Sequence, residues 1–195
     1  KQSNRLRRLS DMILKIDKII ELTKPNLIII YGDTDTTMAG AITSRKKNVK
    51  LIHVEAGMRS NDLNMPEEQN RLVADKLSDY LITVSKNSTR NLLKEGNHIK
   101  KIFQYGDVMF DSLIESKKKI ERIRNLFVKK PYIFFTLHRD SNSNYKTISF
   151  LFNQMKLFKL NFFWPLHPKI YKIINKNKLK IPKNLIISNP ISYFN

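Results

Sequence analysis

The stretch HVEAGMRSNDLNMPEEQNR, residues 53–71, holds three glutamates and two arginines directly after the apolar run KLI. The end of a buried strand is a costly place for an unpaired charge. Behind Glu55, the pair Ala56-Gly57 lets another group approach closely. An acid so placed is a candidate for proton transfer with a shifted pKa. Pro66 then opens a helix with Glu67 and Glu68 in its first turn, where acids also complement the helix dipole, so ordinary N-terminal chemistry accounts for them equally. Upstream, GDTDTTMAG sets Asp33 at a strand-to-helix turn, either as an N-cap or as an acid at a helix start that favours anions. Asp33 and Asp35 together form an Asp-x-Asp pair of the metal-binding kind, but two carboxylates without further ligands are weak evidence for a metal site, and none is expected. TLHR and PLHP set His138, Arg139 and His167 at further strand ends, and a His-Arg pair there suits a phosphate clamp. No Gly-x-Gly-x-x-Gly, phosphate loop, Gly-x-Ser-x-Gly elbow or His-Glu-x-x-His is present, so nicotinamide chemistry, ATP hydrolysis, serine hydrolysis and zinc proteolysis lack support. No cofactor is expected.

These residues need elements to hold them, and hydrophobic period and length supply the elements. Strand-length apolar runs fall at 27–31, 50–54, 80–84, 101–105, 132–136, 161–166 and 184–188. Helical patterns lie over 4–23, 36–47, 67–78, 86–95, 107–126, 145–159 and 168–177. Continuous β-branched runs alternating with helices predict parallel sheets covered on both faces. The strands end, in turn, on Gly32-Asp33, Glu55-Ala56-Gly57, Ser85, Gly106-Asp107, His138-Arg139, His167-Pro168 and Asn189-Pro190. In open parallel sheets these positions form the carboxyl edge, where ligands bind. The charged helix 107–126 followed by KKP marks a boundary, giving a first unit over 1–127 and a second over 128–195.

Composition narrows the classes. The chain has 195 residues, no cysteine and a formal net charge of +19. The missing cysteines exclude disulfides and thiolate chemistry and fit a cytoplasmic location. No run of eighteen apolar residues exists, so no membrane span is expected. From Val128 onward, twelve Lys and Arg stand against one acid, Asp140. The same region is rich in Lys, Asn, Ile and Phe, residues of AT-rich codons, and its lysines are scattered without interleaved aromatics. Nucleic acid is therefore not the expected partner; a polyanionic small molecule is compatible. The chain lacks an initiator Met and opens inside a helix, so a piece of a longer reading frame is expected.

Taken in order, GDTDTTMAG, HVEAGMRS, MPEEQNR, GDVMFDS, TLHR and PLHP resemble the non-hydrolysing UDP-N-acetylglucosamine 2-epimerases and their close relatives. The resemblance runs from about Ile13 to the last residues. It implies a GT-B-like α/β fold: two Rossmann-type units facing across a cleft that holds the nucleotide sugar, the second unit incomplete here. It implies inversion at C2 of a UDP-activated 2-acetamido sugar by elimination and re-addition of UDP, for surface polysaccharide or glycan precursors. The implied catalytic residues are Asp33, Glu55, Glu67 and His138, with Arg71, Arg139 and His167 on the substrate, and the implied whole protein is a homodimer. The family's Gly-Thr-Arg-Pro and Asp-Ser-Gly-Gly segments do not occur in the sequence, so residues 1–195 alone are expected to be inactive and poorly stable. Departures from the family pattern are Asp140-Ser141-Asn142 after the His-Arg pair, Lys169 after PLHP, Asp35 and Gln69. UDP-2,3-diacetamido-glucuronate fits as substrate as well as UDP-N-acetylglucosamine. A GT-B glycosyltransferase and a non-catalytic nucleotide-sugar-binding remnant are the rival readings.

Overall fold

A computed structural model describes residues 2–122, 131–137 and 142–192. Two compact units cover Lys1–Ile114 and Glu115–Asn195. The division expected after residue 127 lies outside the described residues.

The first unit runs α1 (Gln2–Thr23), β1 (Leu27–Tyr31), α2 (Asp35–Lys46), β2 (Lys50–Ala56), α3 (Pro66–Leu77), β3 (Tyr80–Thr83), α4 (Lys86–Lys94) and β4 (Ile102–Gln104), and then α5 (Val108–Arg122) leads into the second unit. A 3-10 turn at Ile99–Lys101 precedes β4 and has no apolar period to announce it. The four strands are parallel in the order β1-β2-β3-β4. Strands that advance in one direction through right-handed crossovers place their helices on one face. The core confirms that geometry. Ile30 and Leu51 pack with Ala41 of α2 and Ala74 of α3, and Leu81, Ala56 and Ile102 pack with Leu92 of α4. Small residues at 39–41 and 74 let these helices sit close to the sheet, with Ala39, Ala41 and Ala74 fully buried.

Among the described residues, the cover expected on both faces is not found on the other side of this sheet. Ile29 is 49% exposed, Tyr31 57% and Tyr80 39%, although the register aligns Ile29 with Ile52 and Ile52 with Tyr80 in one apolar row. The period-2 pattern reports that a face is apolar; it carries no information on what packs against it.

The second unit adds β5 (Tyr132–Phe134), α6 (Tyr145–Met155), β6 (Asn161–Pro165), α7 (Pro168–Lys176) and β7 (Leu185–Ser188), with parallel strands ordered β5-β6-β7. Ile148, Phe152 and Met155 of α6 and Ile170 and Ile174 of α7 close over Phe162, Trp164 and Leu185. The Phe135 ring meets Trp164 edge-on at 4.8 Å, a favoured aromatic geometry. Asn144 caps α6 by accepting from the Thr147 amide, and His167 caps α7.

Candidate active site

Helix α3 organises the carboxyl edge of the first sheet. It buries Glu68, Asn70, Ala74 and Asp75 against the unit, so its inward face is mostly polar. Each polar side chain ties down a different turn. Asn70 Nδ2 donates to the Asp33 carbonyl at 2.9 Å and to Asp35 Oδ1 at 3.1 Å. Arg71 pairs with the Asp33 carboxylate through one nitrogen and with Glu68 Oε2 at 3.0 Å through another. Glu68 accepts from the Ser60 amide and hydroxyl, both at 2.9 Å, and from the Asn61 amide at 3.1 Å. Burial alone would raise the Glu68 pKa; those three donors and Arg71 outweigh it and hold the carboxyl below its usual range.

Asp33 stands free of the capping role. Thr34 is the N-cap of α2, accepting from the Thr37 amide, which leaves the half-buried Asp33 carboxylate to Arg71 at the sheet edge. Asp35 lies between Asn70 and Arg5, 3.3 Å from the latter.

Glu55 is the exceptional residue. Its φ is +72°, in the left-handed region that side chains other than Gly, Asn and Asp rarely occupy. The β2–β3 register slips between Val54 and Ala56, so Glu55 is the extra residue of a bulge, a device that re-aims a side chain. Its carboxylate lies over Gly32, with Oε2 3.5 Å from where a Cβ at that position would be. Among the described residues no hydrogen bond or ion pair engages it. Burial pushes its pKa up, the negative charges of Asp107 and Asp33 push it further, and His53 and Arg71 offset part of the rise.

The close approach expected at Gly57 is made by the protein itself. A Cβ there would lie 2.3 Å from the Ser88 carbonyl oxygen of α4, and φ is +79°. Beneath both turns runs a chain of charges that the sequence motifs do not single out. His53 Nδ1 is 2.6 Å from Asp75 Oδ1, and His53 Nε2 is 2.8 Å from the Gly32 carbonyl. Asp75 Oδ2 accepts from the Gly57 amide at 3.1 Å and from Arg59 at 2.7 Å. Arg59 in turn forks onto Glu95 at 2.7 and 2.6 Å. The spacing of Glu68, Arg71 and Asp75 on one helix face is the available signal.

The structure thus brings Asp33, Glu55 and Arg71 together. Glu67 sits exposed in the first turn of α3, and no hydrogen bond or ion pair among the described residues engages its carboxylate. In the second unit His167 is exposed at the end of β6, its Nδ1 accepting from the Lys169 amide at 3.2 Å. His138 and Arg139 lie outside the described residues.

Parallel strands with helix crossovers and a set of acids at the carboxyl edge define an α/β protein of the Rossmann type. A model of the family described as UDP-N-acetylglucosamine 2-epimerase matches residues 1–195, and the chain belongs to that family. It is 38% identical to a UDP-N-acetylglucosamine 2-epimerase homolog of Methanococcus maripaludis, over 94% of this chain and 54% of that protein. It is 34% identical to the UDP-2,3-diacetamido-2,3-dideoxy-D-glucuronate 2-epimerase of Pseudomonas aeruginosa, over 93% of this chain and 52% of that one. The crystal structure of Methanocaldococcus jannaschii UDP-GlcNAc 2-epimerase in complex with UDP-GlcNAc and UDP superposes with a TM-score of 0.88 at 31% identity, covering 97% of this chain and 56% of that one. The chain spans about half the length of these relatives.

Proposed function

We propose that the protein this chain represents inverts C2 of a UDP-activated 2-acetamido sugar. The observation that carries the reading is Glu55: an unpartnered carboxyl with a raised pKa, held in a strained bulge beside Asp33. Such a group is set to exchange a proton rather than to stabilise the fold. In the family's elimination route UDP leaves C1 as the proton leaves C2, and UDP returns after C2 is protonated on the other face. Glu55, Asp33 and Glu67 serve as the acids on the sugar side. Arg71 pairs with the Asp33 carboxylate and lies on the substrate side, and His138, Arg139 and His167 serve the diphosphate. Glu67 and His167 are both exposed and open to a ligand. UDP-N-acetylglucosamine is the substrate of this reading, and UDP-2,3-diacetamido-glucuronate the second, favoured by the similarity to the Pseudomonas enzyme. The reading includes a cytoplasmic homodimer supplying glycan precursors. Among the described residues no helix is long and apolar enough to cross a membrane.

Incubation of the protein with UDP-N-acetylglucosamine in D2O should place deuterium at C2 of both epimers, by NMR, without added NAD. Epimerisation that required NAD, or product lacking the C2 label, would sink the mechanism.

A further inference from the structure

The second sheet has an edge that the proposed reaction does not use. Two loops form its amino edge, KLFKL (156–160) ahead of β6 and KLKIPK (178–183) ahead of β7, opposite the carboxyl edge that carries His167. Asn184 ties them together. Its Nδ2 lies 2.8, 3.0 and 3.1 Å from the carbonyls of Met155, Phe158 and Leu160, and its own carbonyl accepts from the Phe162 amide at 2.7 Å. The Phe158 ring meets that of buried Phe162 edge-on, with 5.9 Å between centroids. The loops are therefore set in place before anything meets them. Leu157 is 75% exposed, and Phe158, Leu160 and Ile181 are exposed beside it. Among them stand Lys156, Lys159, Lys178, Lys180 and Lys183, all exposed. Lys156, Lys180 and Lys183 share an open cavity with Phe158, Ile181 and Pro182. Residues 141–195 contain no acid, and among the described residues no ion pair engages these five lysines.

Exposed apolar side chains set among uncompensated cations fit a partner with an anionic surface and an apolar interior. We propose that the amino edge of the second sheet is a docking surface for an anionic phospholipid bilayer. The lysines meet the headgroup phosphates, and Leu157, Phe158 and Leu160 enter the acyl boundary. No span is involved, and the carboxyl edge with His167 stays turned away from the lipid. Codon bias accounts for the number of lysines in this half; it does not account for large apolar side chains held outward between them by Asn184. A small phosphate ligand would use the lysines of the cavity and leave Leu157 and Leu160 in water. A nucleic-acid strand stacks its bases on a series of aromatic faces, whereas the two loops carry one aromatic ring, Phe158, already set against Phe162. The inference does not rest on the proposed reaction.

The test uses the 195-residue chain and vesicles of phosphatidylcholine, alone or mixed equally with phosphatidylglycerol, separated by flotation at about 0.1 M salt, where charges still act over about 10 Å. The chain should float with the mixed vesicles and not with phosphatidylcholine alone; failure to float with the mixture would overturn the proposal. A net charge of +19 attracts any anionic surface, so matched variants decide where the contact lies. Lys156→Glu, Lys180→Glu and Lys183→Glu together should weaken binding about tenfold or more. Lys18→Glu, Lys46→Glu and Lys101→Glu together remove the same charge from the first unit and should weaken it by about twofold or less, because they lie off the contact. Equal losses would mean that overall charge does the binding, and would remove the docking surface. The one tryptophan, Trp164, is fully buried, so a second one reports its own surroundings. Leu157→Trp should shift emission to the blue on the mixed vesicles and be quenched by brominated acyl chains; Leu22→Trp, on an exposed position of α1, should do neither. Insertion at both positions would point to a loosened chain that enters lipid anywhere, and insertion at neither would leave the apolar residues without a role; either result sinks the proposal. Binding of inorganic pyrophosphate or of a single-stranded oligonucleotide through the same three lysines, with no flotation, would assign the surface to that ligand instead.

Discussion

Glu55 and Glu68 are two acids of one short stretch with opposite fates. Glu68 is fully bonded and its folded pKa lies below the unfolded value, so its stabilisation is present above the unfolded pKa and fades as pH falls through the folded one. For Glu55 the folded pKa lies above the unfolded value. The fold therefore favours its protonated form, and ionisation at neutral pH costs stability, on top of backbone strain on the order of 1–3 kcal/mol for such a φ. Glu55→Gln should then raise Tm at neutral pH, with the gain shrinking on acidification, while turnover falls about a hundredfold or more. Glu68→Gln should do the reverse, costing about 1–3 kcal/mol at neutral pH through its unmet backbone donors. Thermal melts by circular dichroism across pH, with the deuterium assay alongside, check both. A less stable Glu55→Gln at neutral pH would mean that the carboxylate is a structural bond. Glu67→Gln should lose a similar factor in rate with Tm unchanged; full activity would return Glu67 to the helix-dipole role.

Each of the seven strands and seven α-helices among the described residues is legible from hydrophobic period, because the runs 27–31 or 161–166 and the amphipathic stretches between them differ in both length and period. Less is legible inside the elements. The bulge at Glu55 leaves no mark on a run as apolar as KLIHV, since either face of a buried parallel strand tolerates the same residues. Pro66, Glu67 and Glu68 read as a helix start, and they are one. That reading absorbs the charges of α3 into a dipole argument and hides the inward stripe of Glu68, Arg71 and Asp75. His53 opens the HVEAGMRS motif, but a lone histidine on an apolar strand does not itself announce a role. Gly57 is marked for closeness, and the structure shows that α4 is what comes close. Gly57→Ala should therefore cost about 3 kcal/mol, from a left-handed φ and a Cβ forced onto the Ser88 carbonyl. Since the Gly57 amide also serves Asp75, the same variant should weaken UDP-sugar binding measured by calorimetry. A urea midpoint within error of the unsubstituted chain would show that α4 yields freely, and that Gly57 is no constraint on the site.

At the scale of the whole chain two features oppose compactness. Apolar sheet residues such as Ile29, Tyr31 and Phe134 are about half exposed, and a net charge of +19 repels itself. The charge is concentrated: residues 115–195, the second unit, hold seventeen Lys and Arg against three acids. Lys156, Lys180 and Lys183 line one open cavity of about 470 Å³ with Phe158, Ile181 and Asn184, and among the described residues no acid lines it. Screening between exposed charges changes steeply with salt, the Debye length falling from about 30 Å at 0.01 M to about 3 Å at 1 M. The Tm of the chain should therefore rise over that range. Salt also strengthens burial of apolar surface, so the slope alone does not isolate charge. The variant Lys180→Glu with Lys183→Glu does, because it leaves the apolar area nearly unchanged and lowers the repulsion. It should melt higher than the unsubstituted chain at low salt, and the two should converge at high salt. Equal melting temperatures at low salt would show that the lysines are already far enough apart for water to screen them, and that exposed apolar surface rather than charge limits the stability of this half.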